Sequence, residues 1–313
     1  MQQSSLRNTI ATGKFVLLVA ILLSAMAWLL TGAESLSNWA GFLVLTATTI
    51  VLRLIANGTA LIRVRSWYLS SCFIVLNAIF VFQHAFTPGM LAVPLYLAAI
   101  YYLWMSYQLV RPEQKIFQAF LYLSLATYFA PKLLWVAVLF FVAMIVQLRA
   151  LTLRSLLAML MGLAVGVELM MAWRYLTGQD PYMSDYIRDL TAVTLPDIHN
   201  WSTSQLVSIG YVIFFFVIGV LHFSRTNFND KIRIRMYFYI LIVQGFALLA
   251  LLALSPQDFE TVSRLFILLS APVLAHYFVL GRGRIVDILF VLSLLLGIAV
   301  LVFNLWSLSY TFS

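Results

Sequence analysis

The chain of 313 residues is 63% hydrophobic and only 10% charged, and its formal net charge at pH 7 is +8. Soluble globular domains carry about 25% charged residues, so this composition excludes a soluble protein and predicts one embedded in a lipid bilayer. The basic residues lie in short clusters between apolar runs, as they do in cytoplasmic loops, so the positive charge does not indicate a nucleic-acid partner.

Eleven apolar segments approach the length of about 20 residues that a helix needs to cross the hydrocarbon core. They predict an all-α, polytopic bundle of transmembrane helices in a single integral membrane domain, 1–313. The segments are 14–31, 38–56, 66–86, 89–110, 116–130, 133–148, 155–176, 204–223, 236–254, 262–280 and 285–306. The fifth and sixth are short, so they either cross or form a re-entrant hairpin, and in both cases the chain returns to the side that it left.

The distribution of basic residues predicts the orientation of these segments. All but four of the 19 lysine and arginine residues fall in alternate loops, and positive residues are held in cytoplasmic loops. This alternation predicts that the N-terminus is inside and the C-terminus outside. The four exceptions, all on the predicted outer side, are Lys132, Arg174, Arg188 and Arg264.

The seventh segment carries an acidic residue, Glu168, at a predicted depth of about 13 Å from its outer end. An ionised side chain at such a depth is costly unless it is paired or faces water. Arg174 is six residues further on, off the helical face of Glu168, so we expect a partner on another helix or a protonated carboxyl. Gly162 and Gly166 predict a closely packed neighbouring helix. Glu168 then serves either an interhelical contact or the handling of a substrate or proton.

The main outer-face loop, 177–203, follows this segment. Gly178 and the pair Asp180-Pro181 indicate turns, and the spacing of Tyr182 and Tyr186 predicts a short helix at the membrane surface. The helix either belongs to an interfacial aromatic belt, with its acids in solvent, or covers a site at the membrane–water boundary.

The four outer-side cations, Lys132, Arg174, Arg188 and Arg264, form the predicted binding site for a phosphate group. Cations at an outer membrane boundary suit a lipid-linked phosphate, since arginine holds phosphate oxygens bidentately while the lipid tail stays in the bilayer. The alternative is that they extend to ordinary lipid headgroups.

His84, Glu168 and Asp185 are the candidate catalytic groups of this site, as acids or bases beside the cations. His199 lies in the same outer loop, whereas His222 and His276 are predicted to be structural. The chain has one cysteine and no histidine pair with the spacing of a helical metal site, so neither a metal nor a cofactor is predicted.

The many short spans, the outer loop after the seventh span and the outer-side arginines resemble bacterial envelope proteins that handle polyprenyl-linked sugars, such as O-antigen polymerases and ligases. The stretches "LRSLLAMLMGLAVGVELM" and "RLFILLSAPVLAHYFVLGR" resemble a family of bacterial multi-pass inner-membrane proteins with no assigned activity. These resemblances imply the bacterial inner membrane, a role in the cell envelope and a lipid-linked glycan as ligand.

Three functions follow from these patterns, and whether the protein is an enzyme stays open. Handling of a lipid-linked (polyprenyl phosphate) glycan requires the four cations to converge on the outer face. A scaffold or assembly subunit predicts no cavity and depends on its packing faces rather than on the cations. A small-solute transporter requires a cavity around Glu168 and broken helices, for which Pro94, Pro131 and Pro272 are candidates.

Overall fold

A computed structural model describes residues 7, 9–10, 13, 15–32, 35–64, 66–178, 183–192 and 201–311, without the side chains of 185 and 309–311. In these ranges the chain forms α-helices, short 3₁₀ turns and no strand. The α-helices are α1 (Val16–Gly32), α2 (Leu36–Thr59), α3 (Tyr68–Ile79), α4 (Ala92–Met105), α5 (Glu113–Ala126), α6 (Val136–Val146), α7 (Leu153–Leu176), α8 (Met183–Thr191), α9 (Thr203–Thr226), α10 (Ile232–Leu254), α11 (Phe259–Leu280) and α12 (Arg284–Thr311).

Seven of the described helices are long and apolar enough to cross a membrane: α2, α4 with the turn before it, α7, α9, α10, α11 and α12. The protein is therefore helical and membrane-embedded. Each of the eleven predicted segments contains a helix, but α1, α3, α5 and α6 have only 17, 12, 14 and 11 residues. The crossing of all eleven segments stays a prediction.

Polar residues in the sequence determine where two long helices begin. Thr152 and Ser155 form a reciprocal capping box at the start of α7, and Ser202 and Gln205 form another at the start of α9. These side chains satisfy backbone N–H groups that have no partner within the helix. Gly178 follows the last turn of α7 with a φ of +69°, which a residue with a Cβ rarely adopts.

The chain divides into two compact units. Unit 1 comprises residues 1–87, 199–231 and 267–313, and unit 2 comprises residues 88–198 and 232–266. In unit 1, α3 packs against α1, α2 and α12, and α9 packs against α12. In unit 2, α5 packs between α4 and α7, and α6 packs against α10. The single integral membrane domain and the role of 177–203 as the outer loop stay predictions.

The predicted close approach at Gly162 and Gly166 is confirmed, and the neighbouring helix is α5. A Cβ added at Gly162 would lie 2.6 Å from the Phe117 carbonyl oxygen, and one at Gly166 would collide with the Ser124 side chain. The Ser124 hydroxyl donates to the Leu163 carbonyl oxygen at 3.1 Å. Two glycines one turn apart therefore bring the backbones of α5 and α7 together.

Proline does not break α11. Pro272 lies inside this helix, which continues through it to Leu280. Pro94 lies in the first turn of α4, where the missing N–H costs little, and Pro131 begins the 3₁₀ turn Pro131–Trp135. Pro272, a candidate for a broken helix under the transporter alternative, therefore does not interrupt α11.

Candidate functional site

The four predicted phosphate-binding cations all belong to unit 2. Lys132 lies in the turn Pro131–Trp135 between α5 and α6, and Arg174 lies half-buried in the last turn of α7. Arg188 is on α8, and Arg264 is in the second turn of α11. The four cations thus lie on four different elements of unit 2, and no described contact joins Arg174 to the other three.

Lys132 is buried, with only 5% of its surface exposed. Its Nζ donates to the carbonyl oxygen of Leu254, the last residue of α10, at 3.3 Å. The last carbonyl groups of a helix lack partners within it and carry partial negative charge, so an ammonium group is stabilised there. This contact fixes the α5–α6 turn against the end of α10.

Arg264 is completely buried, whereas its ion-pair partner is not. Its Nη2 lies 3.6 Å from Oε2 of Glu260, one turn earlier in α11, and 43% of the Glu260 side chain is exposed. This separation is longer than a hydrogen bond, so the carboxylate compensates the buried charge only partly. The accessible end of the pair is the carboxylate of Glu260.

The surface helix α8 is held against the α5–α6 turn by two side-chain hydrogen bonds. The Tyr186 hydroxyl donates to Oγ1 of Thr127 at 2.8 Å, and the indole N–H of Trp135 donates to the Leu190 carbonyl oxygen at 3.3 Å. Tyr186 is buried by this contact, so it does not lie in an exposed aromatic belt. Tyr182, its predicted partner on one helical face, lies outside the described residues.

Acidic residues accompany the cations. Arg188 is exposed, and its Nε lies 3.6 Å from Oδ1 of Asp189. Asp258, just before α11, is within electrostatic range of both Asp189 and Lys132. We call the set Lys132, Arg188, Asp189, Asp258, Glu260 and Arg264 the mixed-charge cluster. Its acids were not predicted as site residues, although the stretch "SPQDFETVSR" before α11 places two of them close to Arg264.

The predicted catalytic groups differ in their surroundings. Glu168 is exposed on α7, and among the described residues none forms a hydrogen bond or ion pair with it. The two expected alternatives, a partner on another helix or a protonated carboxyl, stay predictions. Asp185 is on α8, one turn before Asp189, and its side chain is not described. His199 lies outside the described residues.

His84 lies in unit 1 and is 2% exposed. Its ring stacks on Trp28 with centroids 3.6 Å apart, its Nδ1 contacts Oγ1 of Thr31 at 3.0 Å, and its Nε2 contacts the Ala78 carbonyl oxygen at 3.1 Å. Both ring nitrogens are therefore used in contacts within the protein.

A second charged group of residues was assigned to other roles from the sequence. In unit 1, Nε2 of His276 lies 2.8 Å from Oδ2 of Asp230, and Nε of Arg63 lies 3.2 Å from Oδ1 of the same carboxylate. The sequence pattern predicted a structural histidine and an arginine of a cytoplasmic loop. The available signal was an aspartate in the otherwise basic loop 224–235.

In the described part of the chain no group of three histidine, cysteine or acidic residues could hold a metal ion. No family profile, curated protein or solved structure matches the chain. Its class is therefore defined by the fold alone: it is a helical membrane protein with a mixed-charge cluster at the end of α10 and the start of α11.

Proposed function

We propose that the protein is a multi-pass inner-membrane protein of a bacterial envelope that handles a lipid-linked, polyprenyl-phosphate glycan at its outer face. The observation that carries the proposal is the pair formed by the buried Arg264 and the partly exposed Glu260. A guanidinium presents several N–H donors in a plane that matches the oxygens of a phosphate. The phosphate would replace the Glu260 carboxylate as the counter-charge of Arg264.

The other members of the mixed-charge cluster have matching roles in this proposal. Arg188 is exposed on α8 and supplies a second cation to the headgroup, while Lys132 holds the α5–α6 turn in place through Leu254. Asp185, one turn before Asp189 on the same helix, is the proposed acid or base. His84 is left out, because both of its ring nitrogens contact protein atoms.

The test is mass spectrometry of the lipids that co-purify with the intact protein in mild detergent. We expect the wild type to retain a polyprenyl phosphate or glycolipid, and we expect Arg264→Gln and Arg188→Gln to lose it. Arg154→Gln is the control, because Arg154 is an exposed arginine at the opposite end of α7 from Arg174. Recovery of the same bulk phospholipids from wild type and variants alike would refute the proposal.

The outer position of the cluster requires the predicted eleven crossings, and contacts within unit 1 support them. The Phe86 N–H donates to the Ser37 carbonyl oxygen at 3.1 Å, which joins the segment after α3 to the start of α2. These residues lie on one side of the membrane only if α3 crosses as α2 does. Arg63 and Asp230 form an ion pair, so they lie on the same side of the membrane. Of the seven long helices, α4, α7 and α9 lie between them in the sequence, and an odd number of crossings would place them on opposite sides. Crossing by α3 makes the number even.

Contacts of α1 and of the α5–α6 pair support their crossing in the same way. Arg7 Nε lies 2.8 Å from Oδ1 of Asp287, so these two residues lie on the same side of the membrane. The long helices between them, together with α3, make an odd number of crossings, and crossing by α1 makes that number even. In unit 2, Lys132 contacts the last residue of α10, so the α5–α6 turn reaches the membrane boundary at which α10 ends. This contact favours two full crossings over a shallow hairpin.

Glu168 favours a second candidate function, that of an assembly subunit. It lies eight residues before the end of α7, which is about 12 Å along the helix. Ala164, Glu168 and Ala172 are exposed and four residues apart, so they share a face that Gly162 and Gly166 do not occupy. Acidic residues in membrane helices almost always face protein or water, and small neighbours permit close helix packing. A membrane helix that donates a hydrogen bond to Glu168 fits this face.

A further inference from the structure

A cavity of about 340 Å³ is lined by residues of unit 1, whereas the cluster of the proposed function belongs to unit 2. It is formed where α9 and α11 end, beside the loop that follows α2. Its volume is at the lower end of the range of about 300–1,000 Å³ that small-molecule sites occupy. The lining residues are Arg63, His222, Thr226, Asn229, Leu280 and Arg282.

Arg63 is positioned by a buried acid–base pair whose residues do not line the cavity. Oδ2 of Asp230 lies 2.8 Å from Nε2 of His276, and both side chains are 2% exposed. Oδ1 of the same aspartate lies 3.2 Å from Nε of Arg63, whose Nη1 donates to the Asn229 carbonyl oxygen at 3.2 Å. These contacts use two of the three guanidinium nitrogens. The arginine side chain is 49% exposed, so it is held in one orientation while it stays accessible.

His222 is also held in place at the edge of the cavity. Its ring packs edge-on against Tyr277, with centroids 5.0 Å apart, and the Thr226 hydroxyl donates to its carbonyl oxygen at 2.9 Å. Its Nε2 is buried, and no hydrogen-bond partner for this atom is found among the residues that the structure describes. A buried ring nitrogen without a partner is costly, so a ligand with a complementary group would be stabilised here.

Arg282, another lining residue, supplies a second positive charge. It is exposed between Gly281 and Gly283, and it forms no ion pair within the described part of the chain. The lining residues include two arginines, one histidine, one threonine and one asparagine, and no acid. Asp230, the carboxylate that contacts Arg63, is also engaged by His276.

We infer that this cavity binds a phosphate group, held by Arg63 and Arg282 and by a hydrogen bond from His222. Charge-assisted hydrogen bonds from arginine to phosphate are among the strong ones, and Asp230 orients Arg63 for them without entering the cavity. The phosphate belongs either to a membrane lipid headgroup or to a soluble phosphorylated compound. The site lies in the other unit from the mixed-charge cluster, so it does not depend on the proposed function.

The test measures binding to the full-length protein in two settings. In an uncharged detergent, calorimetric titration with inorganic phosphate measures binding of a soluble phosphate. In nanodiscs that contain phosphatidylcholine and phosphatidylglycerol, native mass spectrometry measures retained phosphatidylglycerol. We expect Arg282→Gln to weaken the affinity, or reduce the retained lipid, about tenfold, as the loss of a hydrogen bond between charged groups predicts.

Arg284→Gln is the matched control, since Arg284 is exposed, carries the same charge two residues away and does not line the cavity. Phosphate binding that only Arg282→Gln weakens supports the site and identifies a soluble ligand. Phosphatidylglycerol retention that only Arg282→Gln reduces supports the site and identifies a headgroup. The inference would be overturned if the wild type neither bound phosphate nor retained phosphatidylglycerol, or if Arg282→Gln and Arg284→Gln weakened this binding equally.

Discussion

At the scale of single residues, the position of Glu168 leads to a prediction about assembly. A carboxyl group exposed on α7 is stabilised in the bilayer if a second membrane helix donates a hydrogen bond to it, a contact worth about 1–2 kcal/mol. We expect Glu168→Leu to shift the complex to a lower mass and Glu168→Gln, which keeps an acceptor, to retain part of it. Blue-native electrophoresis of mildly solubilised membranes measures the change.

The control for this prediction is Leu169→Ala, an exposed position on the same helix but turned from the face of Glu168. Its complex should have the mass of the wild type. An unchanged mass in Glu168→Leu would show that the carboxyl group has no protein partner, and the assembly function would then lose its support.

Single residues also show what the sequence could and could not predict about the candidate site. The loop charges alone selected Lys132, Arg174, Arg188 and Arg264, because these cations break the alternation of basic loops along the chain. The partners could not be predicted in the same way. Lys132 and its acceptor Leu254 are 122 residues apart, and such a contact depends on how distant helices pack.

At the scale of helices, the packing of α5 against α7 should fail if Gly162 is enlarged. A Cβ at this position would lie 2.6 Å from the Phe117 carbonyl oxygen, which is backbone and cannot turn aside. We expect Gly162→Leu to lower the free energy of unfolding by about 1–3 kcal/mol, the usual cost of overpacking, in SDS titrations of the detergent-solubilised protein.

Gly210→Leu is the matched control, because the space around Gly210 on α9 is open and this residue is exposed. Its unfolding free energy should stay within about 0.5 kcal/mol of the wild type. If the two variants unfold alike, the contact between α5 and α7 does not depend on the glycine.

Helices are the elements that the sequence predicts best, since each reflects a local pattern. Gly162 and Gly166 predicted a close neighbour, and the spacing in the outer loop predicted a surface helix where α8 lies. The identity of the neighbour, α5, did not follow from the pattern. The continuity of α11 through Pro272 agrees with the single predicted segment 262–280, since packing on all sides of this helix outweighs the lost hydrogen bond.

At the scale of the whole molecule, helix length and intramolecular contacts lead to different topologies. If only the seven long helices crossed, Val64 would share a side with Leu176, and Trp135 would share the other side with Phe228. With eleven crossings, Val64 shares a side with Phe228, and Trp135 shares the other with Leu176. These pairings are the same whichever side the N-terminus occupies.

Single cysteines at these four exposed positions, in a Cys72→Ala background, distinguish the two topologies. We expect a membrane-impermeant maleimide to label Trp135→Cys and Leu176→Cys from outside, and Val64→Cys and Phe228→Cys only in inside-out vesicles. A permeant maleimide should label all four. If Val64→Cys were labelled from outside together with Leu176→Cys, Arg63 and Asp230 would lie across the bilayer from one another. The ion pair between them could then not form, and the phosphate cavity that depends on it would be refuted as well.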